Sequence, residues 1–143
     1  MPRIHKHIEI KAPVRKVFSY IENPTNDPDW MPSMIEVRDI HGSGAGTNFK
    51  WSWKMAGLRF EGESTFVEDI PDKELVVKSK GGIEATWNFK VEPRKNATSL
   101  DIDIDYSVPI PVLGKLAEKL IMKRNEREAD LGLMNLKERL EAE

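Results

Sequence analysis

Residues 112–142 read VLGKLAEKLIMKRNEREADLGLMNLKERLEA, and this stretch decides the fold. It holds no proline and is rich in good helix formers, so it reads as one continuous helix. At 1.5 Å per residue it would run roughly 45 Å, more than twice an ordinary helix. At 3.6 residues per turn Leu113, Leu116, Ala117, Leu120 and Leu131 fall on one stripe, which passes through Arg124, Arg127 and Glu128. A second stripe on the far side carries Met122, Ala129, Leu133, Leu136 and Leu140. Beyond Leu131 the helix is apolar on two sides, the pattern of an element that is gripped. The first stripe is expected to face the rest of the chain, with Leu131, Met134, Leu136 and Leu140 buried against Phe18 and Ile21. If Met122, Ala129 and Leu133 stay exposed, they form a narrow apolar strip for weak association with a second copy.

Such a helix needs a partner nearly as long, and the remaining sequence supplies strands. The clearest period of two runs over 48–55, where Phe49, Trp51, Trp53 and Met55 alternate with Asn48, Lys50, Ser52 and Lys54. Alternation also marks 3–11, 34–41, 58–70, 74–80, 83–92 and 98–108, separated by short turns such as Gly42–Thr47, Ala56-Gly57 and Gly81-Gly82. Leu100, Ile102, Ile104 and Tyr106 oppose Asp101, Asp103 and Asp105, so the sheet is expected to be covered on one face only. Between the first two strands Pro13 opens a short helix with Val14, Val17, Phe18 and Ile21 on one stripe, and Asn23-Pro24 stops it. Asp27-Pro28 opens a further turn, leaving Trp30 and Met31 as large apolar plugs on a connector.

Composition narrows the function. A chain of 143 residues is one domain with a core large enough to stand without staples. With no cysteine, disulfides, thiolate metal sites and cysteine nucleophiles are excluded. A formal charge of −2 gives no electrostatic case for nucleic acid. Nowhere do eighteen consecutive apolar residues occur, and Met-Pro-Arg-Ile-His-Lys is no signal peptide, so the expectation is a cytoplasmic protein without an integral membrane segment. The Gly42–Thr47 loop lacks the Gly-Lys-Ser/Thr ending of a phosphate cradle and runs into a strand. His5, His7 and Glu9 share a strand face but are too spread to chelate one ion. No metal or cofactor is expected.

The order β-α-α-β6-α, with Ala12-Pro13-Val14, Val17-Phe18, Ile21, Trp30-Met31-Pro32, the Gly42–Thr47 loop and Val108-Pro-Ile-Pro-Val-Leu-Gly114, resembles the START-like helix-grip superfamily (SRPBCC). Its members include polyketide-cyclase/dehydrase-like and birch-pollen-allergen-like proteins. The resemblance spans 1–143 and implies an α+β fold in which a curved seven-stranded antiparallel sheet wraps around the long C-terminal helix, with the first and last strands paired so that His5 and His7 meet the aspartates of the last strand. It also implies a cavity between sheet and helix for a hydrophobic or amphipathic small molecule, such as a lipid, quinone or polyketide-like compound. A cyclase/dehydratase-like enzyme using the same cavity and a protein-interaction module remain as alternatives.

The residues expected to line that cavity are Trp30, Phe49, Trp51, Trp53, Phe60, Trp87, Phe89, Tyr106, Leu120, Arg124, Arg127 and Glu128. The tryptophans are either ordinary core or the pocket wall, with Gly62, Ser64 and Ala85 leaving the room. A lone buried guanidinium is costly. With Arg124 paired to Glu128 at i,i+4, Arg127 is left to meet an acidic or carbonyl oxygen of the ligand. No catalytic residue is assigned, because the inward positions assemble no acid–base pair apart from the slender candidates Glu128 and Tyr106.

Overall fold

A computed structural model describes residues 2–107 and 115–142. The elements run β1 (Arg3–Ile10), α1 (Val14–Glu22), a 3-10 turn at Pro24–Asn26, α2 (Asp27–Trp30), β2 (Met34–His41), β3 (Asn48–Met55), β4 (Leu58–Ile70), β5 (Glu74–Gly81), β6 (Ala85–Arg94), β7 (Ala97–Tyr106) and α3 (Lys115–Glu141). The seven strands form one antiparallel sheet in the order β1-β7-β6-β5-β4-β3-β2. Short hairpins join β2 through β7, and β1 closes the series by pairing with β7 across the whole chain. The helix-grip α+β architecture expected from the element order is the one observed. Leu113 and the predicted first turn of the long helix lie outside the described residues.

Alternation does the sorting along each strand. Leu100, Ile102, Ile104 and Tyr106 of β7 are buried, as are Phe49, Trp51 and Met55 of β3. The opposite face carries charge ladders: His5 Nδ1 lies 2.7 Å from Asp103 Oδ1 and His7 Nδ1 lies 3.0 Å from Asp101 Oδ1. These are directly opposed residues of β1 and β7, where cross-strand pairs stabilise register. At the β3–β4 hairpin Ala56 (φ 51°) and Gly57 (φ 81°) both take the left-handed conformation, the geometry of a tight primed turn.

Helix α3 meets this sheet with the stripe that carries Leu133, Leu136 and Leu140, all buried in the same core as Phe18 and Ile21. The opposite stripe is the solvent face, a reversal of the expectation: Leu116, Leu131 and Met134 are 74%, 53% and 56% exposed. Leu136 sets the rotation because it is fully enclosed. Leu131, five residues earlier, is then carried well off the inward direction. The strip proposed for self-association is therefore unavailable as a surface, since Leu133 is buried and Ala129 packs against the core. Gly132 allows the close crossing of α3 over α2: a Cβ there would stand 3.2 Å from the Trp30 carbonyl oxygen and 3.3 Å from Pro32. Asn135 Nδ2 donates to the same carbonyl at 3.3 Å. The helix end is clamped: Lys137 Nζ donates to the Glu9 carbonyl at 2.7 Å, and the Lys11 N–H donates to Glu141 at 2.8 Å. That N–H, with Lys137, holds the Glu141 carboxyl below its ordinary pKa.

Candidate functional site

Ahead of Leu133 the helix stands off the sheet, and a cavity of about 130 Å³ remains beneath it. A single water needs roughly 10–15 Å³ by the same measure, so this space is molecular in size. Most of its wall is apolar and contributed by the inward rows of β3 to β7, with α2 closing one side and Asn125, Glu128, Ala129, Gly132 and Leu133 forming the roof. Aromatic rings run along the wall in contact. Trp53 and Trp87 meet edge-on at 6.1 Å, Trp87 stacks on Phe89 at 5.9 Å, and Phe89 meets Trp30 edge-on at 6.3 Å.

Eight of the expected residues line the cavity: Trp30, Phe49, Trp51, Trp53, Trp87, Phe89, Tyr106 and Glu128. Four do not. Phe60 packs half-buried against the core without reaching the cavity wall. Leu120 is 62% exposed on the outer face of α3. Arg124 is exposed beside the β3–β4 turn, its Nε 3.9 Å from Glu128 Oε1. Arg127 is exposed too. It precedes Leu136 by nine residues, about two and a half turns, which puts it diametrically opposite the buried side. Neither guanidinium is therefore buried, and neither requires an anion.

The space-making role expected of Gly62 also changes. A Cβ there would lie 2.5 Å from the Trp51 ring and 2.4 Å from the Lys80 carbonyl oxygen, so the missing side chain admits Trp51 and the neighbouring strand. Trp51 is accordingly core as much as wall, with its Nε1 donating to Ser64 Oγ at 2.9 Å and Ser64 bonded to Ser79 at 2.6 Å. At the roof, Asn125 Nδ2 donates to the Tyr106 hydroxyl at 3.2 Å, and Ser33 Oγ donates to Glu128 at 2.7 Å. Burial raises the Tyr106 phenol above its ordinary pKa, against the opposing effect of Asn125. Lys6, on the apolar side of β1, reaches Asp130 at 3.0 Å.

Sequence reading missed Asp27, Lys6, Ser33, Ser79 and Asn125 as wall residues. Asn125 was hidden in a run of charges, and Asp27 in a proline-flanked connector where an acid ordinarily means a helix start. Among the described residues no three His, Asp or Glu side chains gather as metal ligands, and no helix is long and apolar enough to cross a membrane.

Residues 1–141 match the model of a family described as polyketide cyclase/dehydrase and lipid transport. The chain belongs to this family. No curated protein matches it in sequence. Solved structures share the fold at low identity. A Thermus thermophilus protein superposes with a TM-score of 0.81 at 19% identity, covering 97% of each chain. A START superfamily protein from Mycobacterium smegmatis gives 0.75 at 17%, covering 99% of this chain and 98% of its own. The Zhui aromatase/cyclase from Streptomyces sp. R1128 gives 0.69 at 14%, covering 98% and 96%.

Proposed function

We propose that this family member binds a hydrophobic or amphipathic small molecule, of lipid, quinone or polyketide-like character, in the cavity beneath α3. The observation that carries this reading is the aromatic-walled space itself. Protein interiors are packed as densely as organic crystals. A space of about 130 Å³ that opens on one side leaves its aromatic wall wetted, and an apolar molecule that covers this wall gains the free energy of removing that surface from water. The wall, apolar with a few placed polar groups, has the make-up of small-molecule sites.

A cyclase- or dehydratase-like reaction in the same space would need an acid–base pair within reach of the substrate. Tyr106 and Glu128 flank the roof, but each is engaged, one with Asn125 and the other with Ser33. Binding without chemistry is the reading we adopt.

The test is a tryptophan-emission titration with a long-chain fatty acid, its methyl ester and a naphthoquinone, beside native mass spectrometry of protein purified from its own cells. Saturable quenching by at least one of these compounds, or a co-purifying small molecule, is the expected result. Flat titrations together with a bare mass would refute the reading.

A further inference from the structure

The outer face of α3 gathers what the rest of the surface scatters. Leu116, Leu120, Leu131 and Met134 are 74%, 62%, 53% and 56% exposed. Among the described residues the other large exposed apolar side chains are Ile35 and Ile40 of β2 and Leu58, Val67 and Ile70 of β4. Scattered ones of that kind are ordinary on a protein surface; four along one line of a helix are not. At 3.6 residues per turn these four share about a quarter of the helix circumference with Lys123 and Arg127, over roughly 27 Å. Lys119, Lys123 and Arg127 are exposed. They enter no ion pair among the described residues, where the pairs of α3 are Asp130 with Lys6, Arg124 with Glu128 and Lys137 with Glu141. Glu118 and Glu126 project a quarter turn or more away from this line, and Glu138 lies beyond Met134 at its end. The stripe is thus leucine and methionine with unneutralised cations between them.

We propose that this stripe docks α3 on the surface of an anionic lipid bilayer. Leu116, Leu120, Leu131 and Met134 enter the boundary between headgroups and acyl chains, and the cations between them meet lipid phosphates. Lysine and arginine suit that place, because their stems lie along apolar surface while the charge stays in water. The helix lies on the bilayer and is too charged to cross it. A second copy of the chain fits the stripe badly. A two-fold contact along it, parallel or antiparallel, sets Lys123 and Arg127 against the same two residues of the other copy, with no anion between them. The proposal concerns the outer side of α3 and does not rest on what fills the cavity under its inner side.

The experiment is co-sedimentation of the full chain with vesicles at low ionic strength, either pure phosphatidylcholine or phosphatidylcholine mixed equally with phosphatidylglycerol. The net charge is −2, so an anionic surface repels the chain as a whole and capture reports a local patch. Wild type should bind the mixed vesicles, come off them as salt rises, and ignore the neutral ones. Lys123→Gln and Arg127→Gln should each weaken binding about fivefold. Leu120→Ser should weaken it about tenfold, through lost burial of the side chain. Lys78→Gln with Lys90→Gln, exposed on the sheet face turned away from α3, should change nothing. All are surface positions, where substitution leaves folding intact. Failure of the mixed vesicles to capture wild type overturns the proposal, as does capture that the stripe variants leave unchanged. A wild-type dimer in sedimentation velocity that Leu120→Ser breaks gives the stripe to a second copy and overturns it too. None of these outcomes bears on the cavity reading.

Discussion

The two halves of α3 are built from the same residue types and do different work. From Ala129 onward the inward stripe is Leu133, Leu136 and Leu140, each enclosed, and Lys137 and Glu141 tie the end to β1 and Lys11. Ahead of Ala129 the large leucines, Leu116 and Leu120, point to solvent, and the inward positions are taken by Ile121, Asn125 and Glu128. One half fills the core; the other roofs a space. The difference teaches that leucine content does not show where a helix is held. A rigid rod anchored at one end can span a cavity at the other, and its rotation is set by the anchored end alone.

The strongest way to break this comparison is to delete one leucine from each half. Leu136→Ala should cost about 2–5 kcal/mol, because the surrounding core can relax only partly around the hole. Leu120→Ala should cost under about 0.5 kcal/mol, as surface changes do. Urea denaturation of the two variants measures both. Similar losses would mean the halves are held alike.

The anchored end should also carry a pH dependence. Glu22 at the end of α1 faces Asp69 of β4, whose two carboxyl oxygens are buried and meet no permanently charged donor. A proton shared with Asp69, then burial, raises the Glu22 pKa from 4.5 to about 7. The folded chain thus keeps a proton that the unfolded chain releases, and stability must fall as pH rises from 4.5 to 7. The partly exposed position screens the effect to about 1 kcal/mol. Denaturation midpoints should drop across that window in wild type and much less in Glu22→Gln. A rising or flat wild-type profile would remove the shared proton.

At the cavity end the changes should be smaller. Ala56 holds φ at 51° beside the roof, a conformation that suits glycine better. Ala56→Gly should raise stability by about 0.5–1 kcal/mol, read by thermal unfolding, with ligand binding unchanged. The smallest effect belongs to Arg127→Met. With the guanidinium on the solvent face, the ratio of fatty-acid to methyl-ester affinity should not change. A selective loss of the acid would return Arg127 to the site and turn the helix over.

Much of the fold was legible because strand alternation is a local property. Every Cβ along a strand points to the face its position dictates, so Phe49, Trp51 and Trp53 could be assigned inward without knowing the partner strand. The tight turns and the single long helix followed from the same kind of reading, whereas the pairing of His5 and His7 with aspartates of the last strand followed from the family resemblance. The rotation of α3 was not legible. A helix with leucines on two opposite stripes offers two plausible inner faces, and the choice between Leu131 and Leu133 depends on which one meets Phe18 and Ile21 across more than a hundred residues.

Sequence alone therefore determined the elements, their order and the inward direction of the aromatic row, because these follow from spacing along the chain. Only the tertiary structure decided which helix face is buried, that Arg124 and Arg127 stand in solvent, that Gly62 makes room for Trp51, and that Asp27 is enclosed beside Trp30. Each of those depends on how elements remote in sequence pack against one another, set by how close-packed volumes fit, and no local pattern encodes it.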